Sequence, residues 1–294
     1  LTARLLEIPE FVGRNASHDG VAIQCREVNE GVATEQSAEV LGAGAIAGAS
    51  PHGHLRLLGM CTVIVDVART PDEPVRMLAI RDEDPLRAWD PLGEWWPERP
   101  GVIGVRDARA GGAWLAADDA ARRVAVVLNR ADVLDIPEGK VGSRGSLVLD
   151  AVAGESVPSH PRTHGFNLVS LSPGSVRVTS WDGTALHERD LDPGTHMIAH
   201  YDADDATPRI AHWLSTFRAS SPESWLDVLA ETTALEPTDD RAIIRDNRPF
   251  GYPTLSLLAC VATITPEGVT VQYGALEHAG VWNPLTLSGP VSAG

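Results

Sequence analysis

The rhythm of apolar and polar positions changes near residue 60. Residues 1–59 show no sustained alternation and no amphipathic helix, and the turn formers Ala49-Ser-Pro-His-Gly-His54 would interrupt any regular element. From Met60 onward, short β-branched and apolar runs dominate. Cys61–Val67, Val75–Ile80, Gly101–Val105, Ala113–Ala116 and Arg123–Leu128 read as strands. So do Phe166–Leu171, Ser175–Trp181, Thr195–His200, Leu255–Ile264 and Val269–Tyr273. Thr70-Pro-Asp-Glu-Pro74, Ser172-Pro-Gly174 and Pro266-Glu-Gly268 supply turns between successive runs. Helical spacing appears in fewer places. Ser146–Val152 follows a Gly-rich entry, and Pro208–Phe217 puts Ile210, Trp213, Leu214 and Phe217 on one stripe. Ser221 and Pro222 open a further helix whose Trp225, Val228 and Leu229 face inward. Runs of strands with grouped helices predict an α+β protein, helices packed on antiparallel sheets.

This break divides the chain. Residues 1–59 read as a non-homologous extension, either disordered or translated from a misassigned start. Residues 60–294 read as one domain.

Composition narrows the function classes. Hydrophobic residues make up 43% of the 294, enough for a substantial core. The 24 basic residues against 40 acidic ones leave a net charge of −16, which disfavours nucleic acid and anionic membrane surfaces as partners. The 3 cysteines are widely spaced and lack zinc-finger spacing, so a reducing compartment without structural zinc is expected. No apolar run reaches the ~18 residues of a membrane span. The expectation is a soluble, cytoplasmic protein without stable membrane insertion, acting on a small-molecule substrate or an apolar ligand.

Candidate chemistry begins at Cys61, which opens the first strand directly after Met60. A cysteine there is either a core residue or a nucleophile. Removal of Met60 would make it N-terminal, and its own α-amino group could then take the thiol proton. Pairing of strands 61–67 and 75–81 about the Pro71-Asp72 turn sets Arg81 beside Cys61, where a guanidinium favours the ionised sulfur. Asp82 follows and could orient the amine. Asn129 ends the apolar strand Val124–Leu128, a position from which an amide can donate to an oxyanion. Weaker signals remain. His196 and His200 are four apart on an expected strand, hence on one face, where a pair could ligate a metal or haem iron. His160 and His164 read as solvated loop residues. Trp95 and Trp96 either line an apolar pocket or pack in the core.

Taken in order, Met60-Cys61-Thr62, Ala79-Ile-Arg-Asp-Glu83, Gly111-Gly-Ala-Trp-Leu115, Val127-Leu-Asn129, Ser143-Arg-Gly145 and Gly165-Phe-Asn-Leu168 resemble the NRDE family, that of the transport and Golgi organisation protein 2. The resemblance spans roughly residues 60–285. Through its fold, this family is similar to the N-terminal nucleophile hydrolases of the choloylglycine hydrolase and penicillin V acylase group. The resemblance implies a four-layer αββα sandwich, with Cys61 as nucleophile, Arg81 and Asp82 as its electrostatic partners and Asn129 as oxyanion donor. It implies amide hydrolysis without metal or cofactor. The alternative that it carries is a non-enzymatic protein handling haem, lipid or acyl-CoA. Three departures bear on activity. The family's leading Asn is Ile80, an expected Arg is Pro253, and His200 stands where the related hydrolases carry a second oxyanion Asn.

Overall fold

The computed structural model describes residues 61–134 and 136–291. The expectation for residues 1–59 lies outside that range. The strands in chain order are β1 (Thr62–Val67), β2 (Val75–Glu83), β3 (Trp89–Gly93), β4 (Val102–Asp107), β5 (Ala113–Asp118) and β6 (Arg123–Asn129). Helix α1 (Gly145–Ala153) follows, then β7 (Phe166–Ser172), β8 (Ser175–Trp181), β9 (Leu186–Asp190) and β10 (Gly194–Ile198). Two helices, α2 (Pro208–Ala219) and α3 (Trp225–Thr232), precede the closing hairpin of β11 (Leu255–Ile264) and β12 (Val269–Ala275).

The strands form two antiparallel sheets. One is ordered β10-β1-β2-β11-β12; the other runs β3 to β9 in sequence. Alternation along β1 and β2 decides which way each side chain faces. Val63, Val65, Met77 and Ala79 join the core between the sheets, whereas Ile64, Leu78 and Ile80 join Phe217, Trp225 and Leu229 under the helices. Helix α1 packs on β5 and β6 of the larger sheet, and α2 packs on β10 of the smaller. The layers are therefore helix, sheet, sheet, helix, and the α+β sandwich expected from the sequence is the observed fold.

Two strands escape the sequence pattern. β3 and β9 are the edges of the larger sheet. Four of the five residues of β9 are exposed, so it carries no apolar alternation to read. A polar, charged edge such as β9 discourages pairing with another chain. The expected strand Thr195–His200 stops at Ile198, and the helix expected from Ser221 becomes a short 3₁₀ turn, Pro222–Ser224, leading into α3. Trp96 is buried, donates its indole N–H to the Gly111 carbonyl at 2.8 Å, and packs within the core. Trp95 takes Arg106 over its ring at 5.2 Å.

One backbone approach matters for the site. A Cβ on Gly112 would lie 2.6 Å from Gly145 Cα, and one on Gly145 would lie 2.7 Å from Gly112 Cα. These glycines, each from a motif that carries the family resemblance, let the start of α1 touch the entry to β5. That contact fixes Arg144 at the head of the helix. Gly112→Ala or Gly145→Ala forces these backbones apart, and each should lower the unfolding free energy by about 1–3 kcal/mol in urea titration. An unchanged midpoint would mean the approach is not constrained.

Candidate functional site

Between the ends of β1, β2 and β6 and the start of α1 lies a cavity of about 820 Å³. Cys61, Arg81, Asp82 and Asn129 all line it, as do Arg144 and His164. The register explains the first pair. Thr62 lies opposite Ile80 and Val63 opposite Ala79, so Cys61, one residue before β1, is set against Arg81. Both belong by alternation to the face between the sheets, whereas the Asp82 side chain belongs to the helix-covered face.

Cys61 is almost wholly enclosed, with 4% of its surface exposed. The Asp82 N–H donates to its Sγ at 3.3 Å, and the thiol donates to the Asp82 carbonyl at 3.6 Å. Burial pushes the thiol up to about 12, and the Asp82 charge adds to this. The Asp82 amide and the Arg81 guanidinium pull the other way but are outweighed. Arg81 favours the thiolate in direction, as its position suggests, yet desolvation dominates while Cys61 sits inside an intact chain.

Arg81 is only 2% exposed. Its Nη2 lies 3.5 Å from Glu83 Oε2, while Nε and Nη1 have no partner among the described residues. Asp82 Oδ1 accepts the Ser256 hydroxyl at 2.6 Å, and Oδ2 has no partner there. Burial raises the Asp82 carboxyl to about 6, against the opposing pull of Arg209, the Ser256 hydrogen bond and Arg245. These two arginines are the cations that the sequence reading missed. Arg209, one residue into α2, donates to the Thr62 hydroxyl at 2.7 Å. Arg245 donates to Asn247 Oδ1 and to the Asp239 and Asp240 carbonyls. Both are fully buried, so although Pro253 replaces an expected arginine, guanidinium charge reaches Asp82 from other elements.

His164 also departs from its expected place. It lines the cavity, and its Nδ1 lies 3.1 Å from Asp132 Oδ2. Asp132 is held in turn by the amides of Gly165 and Leu134. Arg144 Nη1 donates to the Gly165 carbonyl at 3.0 Å, tying the head of α1 to the same loop. Arg144 belongs to the Ser143-Arg-Gly145 motif, whereas Asp132 carries no local pattern that singles it out; the loop packing brings it here. Trp95 and Trp96 are not among the residues lining this cavity.

The pair His196 and His200 does not form a common site. His196 is on β10, with Nδ1 at 2.6 Å from Asp204 Oδ2 and Nε2 at 2.8 Å from the Asp192 carbonyl. Its bond to Asp204 holds it protonated above the usual histidine range. His200 lies beyond the strand end and lines a different cavity. No cluster of three His, Cys, Asp or Glu suited to a metal ion exists among the described residues. No helix among them is long and apolar enough to cross a membrane.

A family model, Transport and Golgi organisation 2, matches residues 60–239. The chain belongs to this family, and the matched span contains Cys61, Arg81, Asp82 and Asn129. No curated protein matches the chain.

The raised Asp82 carboxyl has a pH consequence. Its folded value, about 6, exceeds the unfolded value near 3.8, so the folded state binds the extra proton between them. Its contribution to stability is therefore complete below about pH 4 and is lost as pH rises through 6. Stability of the native chain relative to Asp82→Asn should fall across that window in urea titrations. A difference that is flat with pH would place the carboxyl at its ordinary value.

Proposed function

We propose that this member of the Transport and Golgi organisation 2 family is a cysteine amidohydrolase whose nucleophile is Cys61 once the chain has been cleaved before it. The observation that supports this reading is the convergence of Cys61, Arg81, Asp82 and Asn129 on one cavity. In the intact chain, Cys61 follows an amide nitrogen, which cannot act as a base, and the thiol is held protonated at about 12. Cleavage replaces that amide with an amine of reference pKa about 7.7–8.0. An ammonium there lowers the thiol pKa and gives Asp82 a nearby cation to hold. The Oδ2 of Asp82, without a partner among the described residues, is the kind of buried acceptor such a cation would satisfy.

The proposed reaction balances without a metal or cofactor. The amine takes the thiol proton while sulfur bonds to the amide carbon, and the oxyanion accepts a hydrogen bond from Asn129. The C–N bond breaks as the amine's extra proton passes to the leaving nitrogen. Water, deprotonated by the same amine, then cleaves the thioester, releasing the acid and restoring the thiol. Arg81 contributes fixed positive charge beside the sulfur throughout.

Carriage of haem or lipid is the rival reading. His200, whose Nδ1 has no partner among the described residues, favours haem ligation, but the residues do not fit a haem site. His196 is engaged through both ring nitrogens and cannot assist. The charged walls of the larger cavity do not suit an apolar chain.

The test compares the intact chain with a form beginning at Cys61, using a panel of acyl and aminoacyl p-nitroanilides. The Cys61-initiated form should release p-nitroaniline and accumulate a thioacyl adduct on Cys61, seen by mass spectrometry. The intact chain should do neither. Cys61→Ala in the cleaved form should reduce turnover by more than about a thousandfold, and Asn129→Ala by about a hundredfold. Turnover that survives Cys61→Ala would refute the assignment.

A further inference from the structure

A second cavity, of about 620 Å³, opens at the N-terminus of α2. The helix begins after Thr207 with Pro208 in its first turn, and no side chain caps it. Pro208 has no N–H, so only the amides behind it lack an acceptor within the helix, and the helix dipole adds positive potential at that end. Two independent features point to a ligand. His200 Nδ1 and Thr207 Oγ1 have no partner among the described residues, and each residue is only 8% exposed. Both line this cavity, together with Arg130 and Arg209.

The donors, not the net charge of the lining, decide the ligand's sign. Burial, followed by the fields of Arg209, Arg245 and Arg130, depresses His200 to about 4, so the ring stays neutral and one of its nitrogens carries a proton. Three carboxylates also border the space. Asp202 lies at the rim, 2.9 Å from Arg130 and mostly exposed. Asp240 lies 3.7 Å from the Arg245 guanidinium. Asp205 Oδ1 accepts the Thr207 N–H at 2.7 Å, leaving only its Oδ2 without a partner. Two acids are thus drawn to arginines and the third is half used, while the helix end, a hydroxyl and an imidazole converge. The absence of a three-ligand cluster among the described residues argues against a metal ion. A carboxylate presents two oxygens to these donors, whereas a phosphate ester presents three strong acceptors.

We propose that this cavity binds a small phosphate monoester carrying a free hydroxyl. Its phosphate rests on the N-terminus of α2 between Thr207 and His200, with Arg130 and Arg209 as counter-charges. Its hydroxyl donates to Asp205 Oδ2. The site is separate from the Cys61 cavity, and the proposal does not depend on amide hydrolysis.

The full chain, ¹⁵N-labelled at histidine, tests this by NMR with inorganic phosphate as probe and acetate as the comparison at matched ionic strength. Phosphate should shift the His200 ring saturably and raise its titration point by about one pH unit, because an anion now faces it. Thr207→Val should weaken phosphate binding about tenfold. Arg130→Gln, at the rim, should weaken it comparably and serves if the valine variant does not fold. A His200 ring that phosphate leaves unmoved would overturn the proposal. So would equal affinity for acetate, or unchanged binding in both variants.

Discussion

Pairing of β1 with β2 sets Thr62 against Ile80, and the side chains of Cys61, Arg81 and Asp82 take their direction from that register. With this alignment, Cys61 and Arg81 share the face between the sheets, and Asp82 faces the helices. A slip by one residue would exchange the faces, burying a guanidinium under the helices and trading side chains between the two cores. Both faces of β1 are buried, so the register is held by fit within each core: Val63 and Val65 in the inner one, Ile64, Leu78 and Ile80 in the layer below α2 and α3. Each of these side chains contributes about 1.5–3 kcal/mol when buried. The hydrophobic core therefore fixes the geometry of the polar site.

On the helix-covered side, the same register creates an electrostatic problem. Asp82 is buried, and an isolated carboxylate there would be costly. Ser256 from β11, Arg209 from α2 and Arg245 from the segment before β11 meet it from three directions. The compensation is incomplete, which is why the carboxyl remains above its ordinary range and has an oxygen without a partner among the described residues. Arg209 also lines the second cavity. One buried guanidinium thus contributes to the field at Asp82 and to that at His200, linking the electrostatics of two otherwise separate spaces.

The close approach of Gly112 and Gly145 plays the corresponding part on the other sheet. It seats the start of α1 against β5, which puts Arg144 on the wall opposite the Cys61 strand. His164 and Asp132 complete that wall through loop packing. Glycines spaced through the motifs thus act by letting backbones touch, and the residues beside them carry the polar groups.

Much of this could be read from the chain alone. Alternation gave most strands, the 3.6 spacing gave the helices, and hairpin arithmetic set Arg81 beside Cys61. These features are local, or separated by one short turn, so period and turn chemistry suffice. The edge strand β9 was not legible because four of its five residues are exposed and leave no apolar trace, and β3 because Pro91 and Gly93 interrupt its pattern. Arg209, Arg245, Asp132 and His164 were likewise invisible as site residues. Each reaches its place through contacts far away in sequence, and nothing in its neighbours marks it. The sequence determined where most strands and helices lie and that β1 pairs with β2, because hydrophobic periodicity and short turns are written residue by residue. Only the tertiary structure decided the charge around the thiol, because desolvation and Coulomb fields depend on distances between elements that no local pattern encodes.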